Sequence, residues 1–234
     1  MAALVGCAAV AQAVSGFGYA LLAVPVLSAL TGSTDAVVVA SLASVPMSPL
    51  MLAGNRHHVD RGAASRLVLA SLVGMPLGLV LLDQVSDDVL RLMIGGVVIV
   101  LATLLATGFQ LRRSAHALDI GCGFVSGVLA TSTGTNGPPL VFGLQARRLE
   151  ADAFRSTLAA VFVITGIVSN AVFVAAGKVD RDRLIAGAVG MPFVLAGVWA
   201  GRRLALRTGP SAWRRIVLGL LYLSAASAIV SALV

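Results

Sequence analysis

The residues of this chain best suited to chemistry carry no charge. Thr131, Ser132, Thr133, Gly134, Thr135, Asn136 and Gly137 follow one another inside an otherwise apolar stretch and run into Pro138-Pro139. Proline is tolerated in the first turn of a helix, where its missing N–H costs nothing, and a neighbouring Asn or Thr can cap. The pattern predicts a short helix starting at Pro138 with its positive end directed into the protein. Free N–H groups, hydroxyls and an amide together suit an anion without any formal positive charge. A less polar version lies near the start of the chain. There Gln12 accompanies Ser15-Gly16-Phe17-Gly18-Tyr19, and Pro25 is expected to interrupt the helix that follows. The candidate substrate-binding set is Gln12, Ser15, Gly16, Phe17, Gly18, Tyr19, Ser132, Thr133, Gly134, Thr135, Asn136, Gly137 and Pro138. The isolated glycines at 95–96, 121, 123, 187 and 197 are expected to serve helix packing. Asn170 is expected either to reach the site or to bridge two helices.

No catalytic constellation accompanies these residues. Val14-Ser15-Gly16 and Val125-Ser126-Gly127 lack the leading glycine of a Gly-x-Ser-Gly nucleophile, and no histidine lies in an apolar segment. His57, His58 and His116 sit in loops beside arginines. Cys7 and Cys122 lie within apolar segments, at no metal-ligand or disulfide spacing. No enzyme activity, metal or cofactor is expected. Asp35, Asp83, Asp87, Asp88 and Asp119 all fall at segment ends. Any proton coupling would then run through an end-of-helix Asp or through the substrate's own protonation.

The elements that must position the site are membrane helices. Of 234 residues 58% are hydrophobic and 12% charged, with mean hydropathy +0.97; a soluble domain carries about 25% charged residues. Apolar segments run over 2–30, 35–53, 66–82, 89–110, 118–146, 154–177, 184–204 and 213–233. Runs of about 18 uncharged residues or more can cross the hydrocarbon as helix. The fold class is therefore an all-α polytopic membrane protein whose surroundings are the lipid bilayer. The net charge of +7 would suggest nucleic acid in a soluble protein. Here the basic residues occupy short loops, where they set orientation and touch anionic headgroups, so nucleic acid is not expected as a partner. The first 30 residues lack a basic leader and a small-residue cleavage site, and are expected to be mature structure. The sequence leaves room for a homo-oligomer.

The segments also repeat. Gly74-Met75-Pro76 matches Gly190-Met191-Pro192, Val59-Asp60-Arg61 matches Val179-Asp180-Arg181, and Gly6-Cys7 matches Gly121-Cys122, at nearly one separation. A duplicated four-segment unit follows, with repeats over 1–113 and 114–234 that together make one transmembrane domain. If all eight segments cross, the loops on the two sides carry 8 and 9 Lys/Arg, which is no bias. If segments one and five are re-entrant, 13 fall on one side and 4 on the other. That bias satisfies the positive-inside rule and makes the two repeats inverted. A dual-topology protein or a single discontinuous span is the alternative.

The run Ser15-Gly16-Phe17-Gly18-Tyr19-Ala20-Leu21-Leu22-Ala23-Val24-Pro25 resembles the first-repeat motif of the TauE/SafE sulfite-exporter family of permeases. Gly134-Thr135-Asn136-Gly137-Pro138-Pro139-Leu140-Val141 resembles the second-repeat motif. Gly197, Gly201-Arg202-Arg203-Leu204 and Trp213-Arg214-Arg215 resemble the last hairpin. The first motif departs from the family's usual glycine triplet in having Tyr19 and Ala20. The resemblance spans the chain in order. It implies transport of a small anion, with sulfite, sulfonates and related organic anions as the substrate class, across the bacterial inner membrane.

Overall fold

The computed structural model describes residues 2–53, 56–107, 116–145, 147 and 149–205, together with Gly219, Tyr222, Ala226, Ile229 and Val230. Most of the eighth apolar segment, with Trp213-Arg214-Arg215, and the boundary between the two repeats lie outside the described residues. Among those described, every element is helical. In chain order they are α1 (Ala2–Ser15), α2 (Tyr19–Thr31), α3 (Ser33–Ser44), α4 (Met47–Ala53), a 3-10 turn at Arg56–His58, α5 (Arg61–Gln84) and α6 (Asp87–Thr107). Then follow α7 (His116–Ser132), α8 (Gly137–Gln145), α9 (Ala151–Ala175) and α10 (Arg181–Ala205). Four stretches, Ser33–Ala53, Arg61–Gln84, Asp152–Ala175 and Arg181–Leu204, are long and apolar enough to cross a membrane. Leu69, Val73, Leu77 and Val80 repeat along α5 and are exposed. In water such a stripe would invite aggregation, whereas lipid chains cover it at no cost.

The helices start and stop where the charges dictate. Asp60 caps α5, its Oδ1 accepting from the Ala63 N–H at 2.9 Å. Asp180 does the same ahead of α10, accepting from the Arg183 N–H at 2.8 Å. The two matching Val-Asp-Arg triplets are thus the same physical device used twice. They sit at opposite ends of the molecule. Arg66 and Arg147 both pair with Asp119, and Arg147 also lies 3.5 Å from Asp60. Arg183 pairs with Asp35, Lys178 with Asp83, and the Asp87 carboxylate accepts from the Ser33 N–H. The first group gathers the starts of α5 and α7 with the end of α8. The second gathers the starts of α3, α6 and α10. Asp119 is 1% exposed, so its two guanidinium partners offset a desolvation that no single exposed pair would meet. Its hydrogen bond holds the Arg147 guanidinium above its usual pKa, against the opposing effect of burial.

Packing exchanges partners between the halves of the chain. α7 lies chiefly on α5, and α1 chiefly on α10. Both seams are built on glycine. On α5, Gly74 and Gly78 face the backbone of Phe124 and Val128. On α7, Gly123 and Gly127 face Leu67 and Ser71. Gly197 and Gly201 give α10 the same close approach to Gly6 and Val10 of α1. Removing the side chain lets backbones meet where lipid supplies no hydrophobic drive. Ser71 adds a hydroxyl bond across the seam to the Gly123 carbonyl, 2.9 Å. Gly123, Gly187 and Gly197 serve packing as expected, whereas a side chain at Gly96 or Gly121 would enter open space.

One proline expectation changes, and one apolar segment is not a single helix. Pro25 does not interrupt α2, which continues through it to Thr31 with Pro25 buried. One lost N–H is tolerable inside a membrane helix whose neighbours supply other partners. The second apolar segment, by contrast, is not one helix. Pro46 has no N–H to offer Leu42, whose carbonyl takes the Val45 N–H instead at 3.3 Å. Val45 keeps helical angles, so α3 and α4 form one crossing with a kink.

The α5–α7 seam yields a prediction. Gly127→Leu should force the helices apart and destabilise by about 1–3 kcal/mol or more. Its melting midpoint in detergent should fall at about 2–4 °C per kcal/mol. Gly121→Leu, on the same helix but facing open space, should melt like the parent.

Candidate functional site

Two chain breaks meet inside the bundle. The first spans Gly16, Phe17 and Gly18 between α1 and α2, with φ of 87° and 112° at the two glycines. Those angles are in the left-handed region, which an L side chain rarely adopts. The second spans residues 133–136 between α7 and α8, with Gly134 at φ 68°. α8 begins at Gly137, one residue before the expected Pro138. A Cβ at Gly137 would stand 3.3 Å from Phe17 Cβ and 3.5 Å from Phe162 Cζ. A Cβ at Gly134 would stand 3.2 Å from Val24 of α2. The breaks therefore pack directly on one another, each against the other hairpin.

Beside that contact lies a cavity of about 80 Å³. One water needs about 10–15 Å³ of such space, so the cavity suits a small oxyanion or a few waters. From the predicted set, Gln12, Gly18, Tyr19, Gly134, Thr135, Asn136 and Gly137 line it. Gly16, Phe17, Ser132, Thr133 and Pro138 are buried outside its lining. Ser15 is the last residue of α1, and its side chain is outside the description. The lining carries no ionisable group apart from the Tyr19 phenol.

Hydrogen bonds decide which polar atoms are available. Gln12 Oε1 accepts from the Tyr19 N–H at 3.1 Å, satisfying the first donor of α2 across the break. That bond fixes the amide so that Gln12 Nε2, with no partner among the described residues, belongs to the cavity side. Most of the hydroxyls are committed elsewhere. Thr131 donates to the Met75 carbonyl at 2.7 Å and Ser132 to Val128 at 2.7 Å. Ser126 donates to the Asn136 carbonyl at 2.9 Å, holding the second break to α7. Thr133 and Thr135 share a bond of 2.7 Å, and Thr133 also lies 3.2 Å from the Leu129 carbonyl. Because Thr133 donates its one hydrogen to the Leu129 carbonyl, Thr135 donates to Thr133, and its remaining lone pairs accept. The Asn136 carboxamide has no partner among the described residues and lines the cavity. The side-chain donors lining the space are thus Gln12 and Asn136, beside the first turns of α2 and α8, in the second of which Pro138 and Pro139 offer no N–H.

Several lining residues were not foreseen. Ser41, Ser44 and Ser48 follow one face of the kinked α3–α4 crossing into the cavity, opposite Phe162, Gly166 and Ser169 of α9. Hydroxyls three and four residues apart in an apolar stretch were the available signal. Asn170 neither reaches the site nor bridges helices: its Nδ2 donates to the Gly166 carbonyl of its own helix at 2.8 Å. Tyr19 is 2% exposed, and its hydroxyl has no partner among the described residues. It also borders an apolar crevice of about 110 Å³ that runs out to the exposed Val189 and Phe193.

A chain of crossing helices around an uncharged polar cavity, entered by two helix N-termini, is the construction of a carrier. Comparison with known proteins agrees. The model of the family described as sulfite exporter TauE/SafE matches residues 1–228. The chain belongs to this family. It is 27% identical over 226 residues to the "Probable sulfite/organosulfonate exporter TauE" of Cupriavidus necator, covering 94% of this chain and 88% of that protein. Over 108 residues it is 36% identical to the "Probable inner membrane transporter protein TsaS" of Comamonas testosteroni, 46% of this chain and 45% of the other. No solved structure matches significantly. This TauE/SafE protein is a multi-pass inner-membrane transporter and not an enzyme.

The bond across the first break is testable by itself. Gln12→Met keeps the bulk and removes the acceptor, leaving the buried Tyr19 N–H unpaired. A loss of about 1–3 kcal/mol is expected, read as a lower melting midpoint. A Gln12→Met protein that melts like the parent would show that the break does not need this cap.

Proposed function

We propose that the protein carries a small sulfur oxyanion or organosulfonate, such as sulfite or sulfoacetate, held where the two breaks meet. The observation that carries this reading is the convergence of two helix N-termini and the Asn136 carboxamide on a cavity with no fixed charge. Sulfite and sulfonates each present three acceptor oxygens in a compact pyramid. N–H and O–H donors from different directions match that shape, and helix N-termini add partial positive charge. The names of the relatives supply the sulfur chemistry; the cavity supplies the size limit.

The arrangement around the site further supports two inverted repeats, each led by a re-entrant hairpin. The ends of α7–α8 are joined by the Asp119–Arg147 bond, so that hairpin enters and leaves at one end of the molecule. α2 finishes beside Asp87 at the opposite end, where the next N–H, that of Ser33, donates to its carboxylate at 2.7 Å. The Asp-capped α5 and α10 start at opposite ends, as inverted copies should.

Flux in proteoliposomes across sulfite, sulfoacetate, thiosulfate and small carboxylates tests the substrate class. Sulfite or a sulfonate should move fastest; preference for a carboxylate would redirect the reading to a non-sulfur organic anion. Asn136→Ala should cut sulfite flux about tenfold or more, because a hydrogen bond to a charged group contributes about 1.5–3 kcal/mol. Its melting midpoint should stay near the parent's. For topology, single cysteines at positions 114 and 151 in a background without Cys7 and Cys122 should label from the same side. Labelling from opposite sides would defeat the re-entrant α7–α8 hairpin.

A further inference from the structure

We propose that Arg155 forms a separate collecting site for the small anion at the cytoplasmic mouth, screened from the cavity by an apolar plug of Phe17, Leu158 and Phe162. This rests on the function proposed above and adds to it a place of first encounter and a side. The argument starts from α9. Ser169, Gly166 and Phe162 line the cavity. Stepping back along the same face by four and then three residues gives Leu158 and Arg155, since positions three or four apart share a helix face. Arg155 is therefore the one cation on the stripe of α9 that looks into the site. It stands two turns, about 10 Å, from Phe162.

The first break confirms that alignment independently. A Cβ at Gly16 would meet Leu158 Cδ2 at 3.8 Å and Arg155 Cγ at 3.9 Å, so the stem of Arg155 lies against the same hairpin tip that walls the cavity. On this stripe Leu158, fully buried, stands between Arg155 and the cavity-lining Phe162, and Phe17, 9% exposed, follows Gly16 on the hairpin tip. Phe17 and Phe162 both pack on Gly137. Phe17 is flanked by Gly16 and Gly18, whose left-handed angles give the plug its hinges.

The charge of Arg155 is uncommitted. Arg66, Arg147, Arg183 and Lys178 all pair with carboxylates. Arg155 is exposed and has no ion pair or hydrogen bond among the described residues. A neutral cavity exerts little pull beyond its own walls, whereas a cation at a cleft mouth raises the local concentration of anions and their on-rate. The side follows from neighbours. The Asp60 N–H donates to Thr157 at 2.9 Å, so Arg155 belongs to the Asp60–Arg66–Asp119–Arg147 end. In the re-entrant topology that end holds 13 of the 17 Lys/Arg, which makes it cytoplasmic. Collection from the cytoplasm fits export.

The test is sulfite flux from the Arg155 side in proteoliposomes at low and high ionic strength. Arg155→Gln should raise KM about tenfold at low salt with the maximal rate unchanged. The difference should shrink at about 1 M salt, where the screening length is about 3 Å. Arg155→Lys should restore most of the low-salt KM, and Arg61→Gln, an exposed arginine at the same end but off the stripe, should behave as wild type. An unchanged KM in Arg155→Gln, or a fall in maximal rate that Lys does not rescue and salt does not alter, would overturn the collecting role while leaving the transport reading intact. A wild-type protein that moves neither sulfite nor any sulfonate would overturn both.

Discussion

A backbone that stops being helical inside hydrocarbon must find partners for its N–H and C=O groups within the protein, because lipid offers none. Among the described residues two such stops meet inside the bundle, and much of the structure can be derived from satisfying them. Gln12 reaches across the first to hold the Tyr19 N–H. Ser126 reaches across the second to hold the Asn136 carbonyl. Burying the hairpins that carry these breaks requires long crossing helices on both sides, and the glycine faces of α5 and α10 allow α7 and α1 to lie against them at backbone distance. The ends of α7–α8 are then tied by Asp119, Arg66 and Arg147, whose charges would be prohibitive any deeper in the membrane.

The same constraint shapes the chemistry available to the site. A fixed cation in the cavity would bind an anion tightly and, when empty, would be a buried unpaired charge costing several kcal/mol. A transporter has to pass through an empty state in every cycle. On the proposed site, uncharged donors avoid that penalty, since Gln12 and Asn136 can turn to water when the anion leaves. Partial charges at helix N-termini attract an anion modestly, on the order of 1 kcal/mol each, which favours release. Charge is instead kept at the two ends of the bundle, where it can orient the protein and, on the reading proposed for Arg155, gather substrate.

How far this was legible in the sequence follows from what each signal encodes. The first seven apolar segments correspond to described helices, and the chain leaves helix at 16–18 and 133–136, inside the glycine-bearing stretches 15–19 and 133–139 read from the sequence, because loss of charge and presence of glycine are local properties. Seven of the predicted residues, Gln12 and Asn136 among them, line the cavity. The commitments of the hydroxyls were not legible: Ser132 belongs to the predicted set, yet its hydrogen goes to the Val128 carbonyl, as that of its neighbour Thr131 goes to Met75. A hydroxyl in a helix has its own turn within reach, so composition cannot tell a donor to substrate from a donor to backbone. Pro25 misled for a related reason, and Pro46 carried no signal. Pro25 is absorbed by a helix packed on many sides, while Pro46 redirects the Leu42 carbonyl and kinks a crossing. The outcome depends on neighbours from elsewhere in the chain. Ser41, Ser44 and Ser48 escaped notice because each is ordinary by itself, and only the α3–α4 face unites them.

The exchange of packing partners has a mechanical consequence. Because α1 lies on α10 and α7 on α5, neither hairpin is held mainly by its own half of the chain. On the inverted-repeat reading, a shift of one half relative to the other therefore drags the opposite hairpin with it. The tips meet at Phe17 and Gly137 with almost no slack, so they cannot slide freely past each other. The left-handed glycines around Phe17 supply a joint at that contact, and the cavity lies immediately beside it. Motion at the joint would thus change access to the anion and its contacts together. A carrier whose binding groups belong to the moving tips needs no separate gate to couple the two.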